Sequence, residues 1–363
     1  MAIGWSGSSG GITVNQKRVS AHDLLYEIFI QRSPYPMEVS YFINNICNLK
    51  CRHCYVGYGE NKNALSVDEW KRVFDELIYM GALTFGDVGK EPLLAWNETR
   101  ELLLYFNKKR QSIPKLRFGF VTNGILLDRS KIEDLERIYP DYIDISLDGT
   151  ETAHDYIRGS GNYKRTVKNL EVMSKYDVFK KVFISFTANK FNASTISGLV
   201  DVLYNMGVKN ILISPYVTRD MTDELYLSDH GMLDWIEALM AGNVIDFSKY
   251  HGLNLYIKND YTTTMNLMEK LVSRGIIDKD NLFLDDYGVI FNRYSFNGND
   301  VYFNYLPWDD FLVRAIRISH DGYVSNCFDM FFSDYPERAI GNVRERSIME
   351  ILQYDIPFLK VAI

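Results

Sequence analysis

The sequence predicts an α/β fold, a partial (β/α)6 TIM-like barrel followed by a small α+β C-terminal extension. Three observations carry that expectation. Six short runs rich in β-branched and aromatic residues recur between positions 37 and 214. Segments with helical apolar spacing separate them. The repeat then stops after Ser214, where a stretch rich in Tyr, Asn and Asp begins. Strands alternating with helices imply parallel pairing through right-handed crossovers, a pattern shared by barrels and open doubly wound sheets.

In chain order, the opening "MAIGWSGSSGGITVNQKR" has no apolar core after a basic start, so it does not read as a signal peptide. Its Gly and Ser residues at 6–11 suggest a flexible leader, and an amphipathic helix is expected around "HDLLYEIFIQR" (22–32). The expected strands are 37–43, 82–88, 116–122, 141–147, 180–187 and 209–214. Between them, "SVDEWKRVFDELIYM" opens with Ser66 and places Glu69 three residues on, a capping box, while "STISGLVDVLYNMG" ends at a glycine. A further helix is expected near "HGMLDWIEALM". The aromatic stretch 287–308 reads as a packed cap or lid whose Asn and Asp residues form a mixed substrate wall. "VRAIRISHDGYVSNC" reads as a small β unit, and "RSIMEILQY" as a terminal helix. The organisation expected is a leader and helix over 1–36, the barrel over 37–240, an aromatic-rich insertion over 241–312 and the small unit over 313–363.

Of 363 residues, 47% are hydrophobic and 24% charged, an ordinary profile for a folded, water-soluble chain. Lys and Arg number 40 against 47 Asp and Glu, and the net charge of −7 leaves no basic footprint for nucleic acid. No window reaches the ~18 apolar residues of a membrane span. Four cysteines are too few for a disulfide framework in a chain of this length, so a cytoplasmic protein with metal-binding or catalytic thiols is expected.

Three of those cysteines, Cys47, Cys51 and Cys54, fall within "CNLKCRHCY" directly after the first expected barrel strand. Thiolates are soft ligands, and three on one loop can converge on one metal centre. His53 is available as a fourth ligand for tetrahedral zinc. The C-x3-C-x2-C spacing, with no second pair downstream, instead suits a [4Fe-4S] cluster that keeps one iron open. Structural thiols are the remaining alternative.

The loop resembles the cluster loop of the radical S-adenosyl-L-methionine (AdoMet) enzymes, and further motifs follow in that family's order. "GKEPLL" (89–94) is similar to its Gly-Gly-Glu-Pro motif, "TNG" (122–124) closes the third strand, and "SLDGTETAHDYIRGSGNY" (146–163) follows the fourth. The resemblance covers about residues 37–215, with a weaker match at 313–352. It implies that Cys47, Cys51 and Cys54 bind three irons of one [4Fe-4S] cluster while AdoMet chelates the fourth. It also implies AdoMet contacts at Tyr55, Gly89, Glu91, Pro92 and Asn123. Lys90 departs from the motif, standing where a second glycine is usual.

Ser146 and Asp148 fall at the C-terminal end of the fourth strand, the edge where β/α barrels place their chemistry, although Asp-Gly-Thr is also good turn sequence. Thr187 and Asn189 stand at alternate positions of the fifth strand and are expected to face the AdoMet ribose, and Arg158 is read either as pairing with a carboxylate or as an exposed loop arginine that pairs with nothing in particular. "IRISHDGYVSNC" resembles the start of the SPASM/twitch extensions that hold auxiliary clusters. Only Cys327 lies outside the main motif, so this chain alone cannot build such a cluster, and the extension reads as degenerate, a small unit closing the barrel. Cys327 is either a buried inert thiol or a hydrogen-atom donor of the kind found in radical epimerases.

The resemblance implies a radical AdoMet enzyme that abstracts a hydrogen atom, leading to epimerisation, oxidation, rearrangement or bond formation, with an electron donor such as flavodoxin or ferredoxin. The short stretch before the barrel is expected to leave no room for a winged-helix leader-peptide domain, which favours a small polar metabolite or natural-product intermediate over a peptide. A reading of another class is a non-catalytic Fe–S or zinc protein serving structure or redox sensing.

Overall fold

The computed structural model describes residues 16–20, 22–23, 37–54, 56, 59–218, 220–258, 261–287, 289–305, 315–325 and 339–355. The leader at 6–11, the helix at 22–32 beyond its first two residues, Tyr55 and Cys327 lie outside them.

The elements are β1 (Gln16–Val19), β2 (Met37–Tyr41), α1 (Val67–Tyr79), β3 (Ala82–Asp87), α2 (Trp96–Arg110), β4 (Arg117–Thr122), α3 (Arg129–Ile138) and β5 (Tyr142–Ser146). They continue with α4 (Glu151–Arg158), α5 (Asn162–Met173), β6 (Val182–Ala188), α6 (Ile196–Asn205), β7 (Asn210–Pro215), α7 (Asp229–Met240) and β8 (Asn254–Ile257). Last come α8 (Tyr261–Ser273), β9 (Leu282–Asp285), β10 (Ile290–Phe296), β11 (Asn299–Asn304), β12 (Ala315–Ile318), β13 (Tyr323–Ser325), β14 (Gly341–Asn342) and α9 (Ile348–Asp355).

All six expected strands are present within two residues of their predicted limits. The strands form one sheet in the order β1-β9-β10-β11-β8-β7-β6-β5-β4-β3-β2-β12-β13-β14. From β12 through β2 to β8 and on to β11 every neighbouring pair is parallel, and antiparallel strands extend both ends. The architecture is a partial barrel carrying an α+β extension, with β1 and β14 at the two ends of the sheet among the described residues.

Period-two alternation sorts the strand residues into two cores. Phe118, Phe120, Ile143, Ile145, Ile184 and Ile211 pack outward against the helices, together with Phe74, Leu102, Phe106, Leu135 and Leu199. Tyr142, Phe183, Leu212, Tyr256, Phe291 and Tyr302 point the other way and make an aromatic floor on the inner face. Burial of both faces explains why the central strands read as nearly continuous apolar runs. Helix α1 shows the local logic: Ser66 and Glu69 form the capping box in both directions, and Trp70, Val73, Phe74 and Leu77 bury one face. Phe74 packs with its ring centre within 5.4 Å of those of Trp70, Phe85 and Phe106, so Phe74→Ala should cost about 3–5 kcal/mol through the cavity it leaves.

Two expectations are corrected. The β/α alternation does not stop at Ser214, because β8 follows α7 and pairs parallel with β7. The aromatic stretch, expected as a cap or lid, lies in the sheet as far as Asn304: β10 and β11 form an antiparallel hairpin, and β11 pairs parallel with β8. Its alternating aromatic residues supply the inner floor, so their pattern reflects a two-faced strand. The described part of the C-terminal unit extends the sheet at β2, with β12 parallel to it. Among the described residues no helix is long and apolar enough to cross a membrane.

Candidate functional site

The loops leaving the C-terminal ends of β2 to β6 converge, and the cysteine loop lies over them. Its entry is fixed by Asn44, fully buried, whose Nδ2 donates to the Glu91 carbonyl at 3.0 Å and whose Oδ1 accepts from Ile46 N at 2.9 Å. The Cys47 sulfur accepts from Leu49 N at 3.4 Å. Arg52 N donates to Ile157 O at 2.9 Å, and the Arg52 guanidinium binds Glu224 at 2.9 Å while lying 4.2 Å from the centre of the Tyr156 ring. Cys47, Cys51 and Cys54 are free thiols, and burial pushes Cys51 up to about 11.

At the exit of β3, Gly89 leaves no space for a side chain, since a Cβ there would sit 2.1 Å from Phe42 Cγ. Lys90 follows in the left-handed region with φ +52°, a conformation that normally belongs to glycine. This backbone geometry accounts for glycine as the usual residue at the Lys90 position. Glu91 is fully buried; Oε1 accepts from Leu93 N at 3.0 Å and Thr122 Oγ1 at 2.7 Å, and Oε2 from Asn123 N at 2.9 Å. Burial pushes its carboxyl up to about 7 even with these donors around it. Its side chain therefore splices the β3 and β4 exits. Pro92 begins the 3-10 turn Pro92–Ala95 capped by that same carboxylate.

At the exit of β4, Asn123 Nδ2 donates to Asn48 Oδ1 at 2.8 Å, tying this exit to the cysteine loop. At the exit of β5, Ser146 is 7% exposed and Asp148 is fully buried. Asp148 Oδ1 accepts from Thr187 N at 2.8 Å and Oδ2 from Arg158 Nε at 2.5 Å. Burial alone would raise the Asp148 carboxyl, but Arg158 beside it carries it below its ordinary value. Arg158 Nη2 lies 3.3 Å from His53 Nε2, within the cysteine loop. Burial lowers both His53 and His154 to about 4, so both rings are neutral near pH 7.

Hydrogen bonds therefore tie the cysteine loop, through Asn44, Asn48 and His53, to Glu91, Asn123 and the Asp148–Arg158 pair, which Thr187 joins through its backbone N–H. Asn189 differs in setting: it is fully buried, and its amide bonds Thr187 O, Phe191 N and Asn192 N within its own turn. Sequence reasoning did not anticipate Asn44, Asn48 or His154 and considered His53 only as a zinc ligand. One usable signal was present: His154 and Arg158 stand four apart on α4 and so share a helix face.

The donor set can be weighed against the groups considered for it. His53 turns Nε2 toward Arg158, and among the described residues no three His, Cys, Asp or Glu side chains, the three thiols included, are drawn together as around a metal. Three free thiols on one loop are, in kind and number, the donors that a cluster held by three cysteines uses.

Comparison with known proteins agrees. Residues 41–203 match the Radical SAM superfamily, and residues 311–360 match the SPASM iron-sulfur cluster-binding domain. The chain is similar to an Fe-coproporphyrin III synthase of Methanosarcina barkeri, 32% identical over 160 residues, 43% of this chain and 38% of that protein. It is also similar to the antilisterial bacteriocin subtilosin biosynthesis protein AlbA of Bacillus subtilis, 31% identical over 156 residues, 42% of this chain and 34% of that protein. The matches thus span well under half the length of these relatives. Crystal structures of Streptococcus suis SuiB share the fold over 93% of this chain: the form bound to S-adenosylmethionine has a TM-score of 0.66 at 17% identity with 70% of SuiB covered, and the form bound to the precursor peptide SuiA has 0.66 at 18% with 69% covered. The Radical SAM match covers the segment that holds the cysteine loop and the strand exits from β2 to β6.

Proposed function

We propose that this chain is a radical AdoMet enzyme that abstracts a hydrogen atom from a small polar metabolite or natural-product intermediate. The observation that carries the reading is the anchoring of the cysteine loop to the β3 and β4 exits and to the end of α4, through Asn44 to Glu91, Asn48 to Asn123 and His53 to Arg158. Cys47, Cys51 and Cys54 would hold the cluster. When bound, cluster and AdoMet supply a 5′-deoxyadenosyl radical for hydrogen abstraction.

The chain's own residues build the frame. Glu91 fixes the β3 exit to the β4 exit, Asp148 fixes the β5 exit to the β6 exit, and the aromatic floor excludes water from below. Tyr55, Gly89, Pro92, Asn123, Ser146 and Thr187 would contact AdoMet at the rim. An external one-electron donor such as flavodoxin or ferredoxin would serve the cluster in a reducing cytoplasmic setting. With Cys327 the sole cysteine of residues 311–360, the SPASM-like unit is read as degenerate, without an auxiliary cluster of its own.

A second reading, modification of a peptide, is favoured by the names of two similar proteins, a bacteriocin biosynthesis protein and a SuiB captured with its precursor peptide. The test is anaerobic reconstitution followed by iron and sulfide analysis and a 5′-deoxyadenosine assay under reducing conditions. About four irons and 5′-deoxyadenosine formation are expected, both lost in Cys51→Ala. Zinc in place of iron, or no 5′-deoxyadenosine from the loaded protein, would sink the reading.

A further inference from the structure

A buried cation lies against the cysteine loop. Arg158 is 9% exposed and ends α4, with Nε held by Asp148 Oδ2 at 2.5 Å and Nη2 set 3.3 Å from His53 Nε2. Asp148, fully buried, has its other oxygen taken by Thr187 N. The same helix is fastened to the β5 exit a second time, because His154 Nδ1 accepts from Asp148 N at 3.2 Å. Arg52 N, also in the loop, bonds the carbonyl of Ile157, the residue before Arg158. A guanidinium held at Nε by a carboxylate, on a helix pinned twice, has little freedom to swing away. Its inner end meets the ring that lies, in sequence, between two of the three thiols.

Burying a cation is costly unless it is paired, and the pairing here is asymmetric. The Arg158 Nη2 edge contacts the cysteine loop, whereas Asp148 Oδ2 stands 3.8 Å from the same histidine. The charge facing the loop is therefore the positive one.

We propose that Arg158 is an electrostatic tuning residue for the cluster of the Cys47–Cys51–Cys54 loop, raising its reduction potential by presenting a fixed positive charge, with Asp148 setting how much of that charge is felt. Adding one electron makes a cluster more negative, so a nearby cation favours the reduced state. This inference rests on the cluster assignment above, and iron and sulfide analysis of the unmodified protein tests that assignment separately.

The experiment is an EPR-monitored redox titration of the reconstituted full chain without AdoMet, using dithionite as the one-electron reductant with mediators. Arg158→Gln should lower the midpoint potential by at least the about 59 mV that corresponds to a tenfold change in a one-electron equilibrium. Asp148→Asn, which keeps an acceptor for Thr187 N, should raise it, and Arg158→Lys should stay closer to the unmodified value than Arg158→Gln. The opposite signs separate tuning from a merely structural role, which would move both variants the same way or neither. Unchanged potentials, or shifts of the same sign, in Arg158→Gln and Asp148→Asn would overturn the proposal. If Arg158→Gln fails to hold iron, Asp148→Asn and Arg158→Lys decide it: a potential that fails to rise in the first, or an Arg158→Lys shift of more than about 59 mV, overturns it.

Discussion

Gly89 stands directly against the ring of Phe42, so close that a methyl group on Gly89 would lie 2.1 Å from Phe42 Cγ. Two adjacent strand exits, those of β2 and β3, meet there without an intervening side chain. Phe42 is itself tied to β12 through its N–H to Ile318 O. Gly89→Ala is expected to destabilise the protein by more than about 2 kcal/mol, because the neighbour is a buried ring that cannot swing aside. Urea unfolding would show it, and unchanged stability would mean that this contact relaxes freely.

Lys90, next along, occupies the left-handed region at φ +52°. Lys90→Gly should release about 1 kcal/mol of backbone strain. If the lysine side chain stays clear of the cofactor, AdoMet affinity should change less than about tenfold, or ~1.4 kcal/mol. Thermal unfolding and AdoMet titration measure the two effects. A much weaker affinity would show that the lysine itself contacts AdoMet.

His154 makes stability pH-dependent. Its folded value is lowered from 6.5 to about 4 by burial and Arg158, so its contribution is present above pH 6.5 and lost as pH falls toward 4. Glu91 acts in the opposite sense: raised from 4.5 to about 7, its contribution is full below pH 4.5 and lost as pH rises through 7. His154→Gln should remove up to about 3 kcal/mol of the acid-side loss between pH 6.5 and 4. Denaturation of variant and parent at pH 7 and pH 5 gives the comparison, and an identical loss in both would exclude His154 as a source.

Cys327→Ala is expected to cost roughly 1 kcal/mol of stability and to leave the product unchanged, as for a small buried thiol. Turnover in deuterated water gives an independent reading. Deuterium in the product, together with AdoMet cleavage but no finished product from Cys327→Ala, would make the thiol a hydrogen-atom donor instead. Iron near eight per chain would contradict the reading of the C-terminal unit as lacking its own cluster.

What the sequence determined by itself was what local chemistry can write. Alternating apolar runs, a capping box and terminal glycines define the six strands and their helices without reference to distant residues. The C-x3-C-x2-C loop identifies its donor set because three soft ligands close together in sequence admit few uses. Tertiary structure decided the rest. The stretch 287–308 is equally apolar as a lid or as a sheet hairpin, and only its pairing with β8 distinguishes the two. Glu91 and Asp148 read as cofactor contacts from their motifs, yet their oxygens are engaged by Thr122, Asn123, Arg158 and Thr187, residues 31 or 32, 10 and 39 positions away. Lys90 reads as a departure from a pattern until its φ shows that the backbone, and not the side chain, is what the pattern conserves space for. Long-range hydrogen bonds and backbone angles come from how elements are brought together, and no run of adjacent residues encodes that.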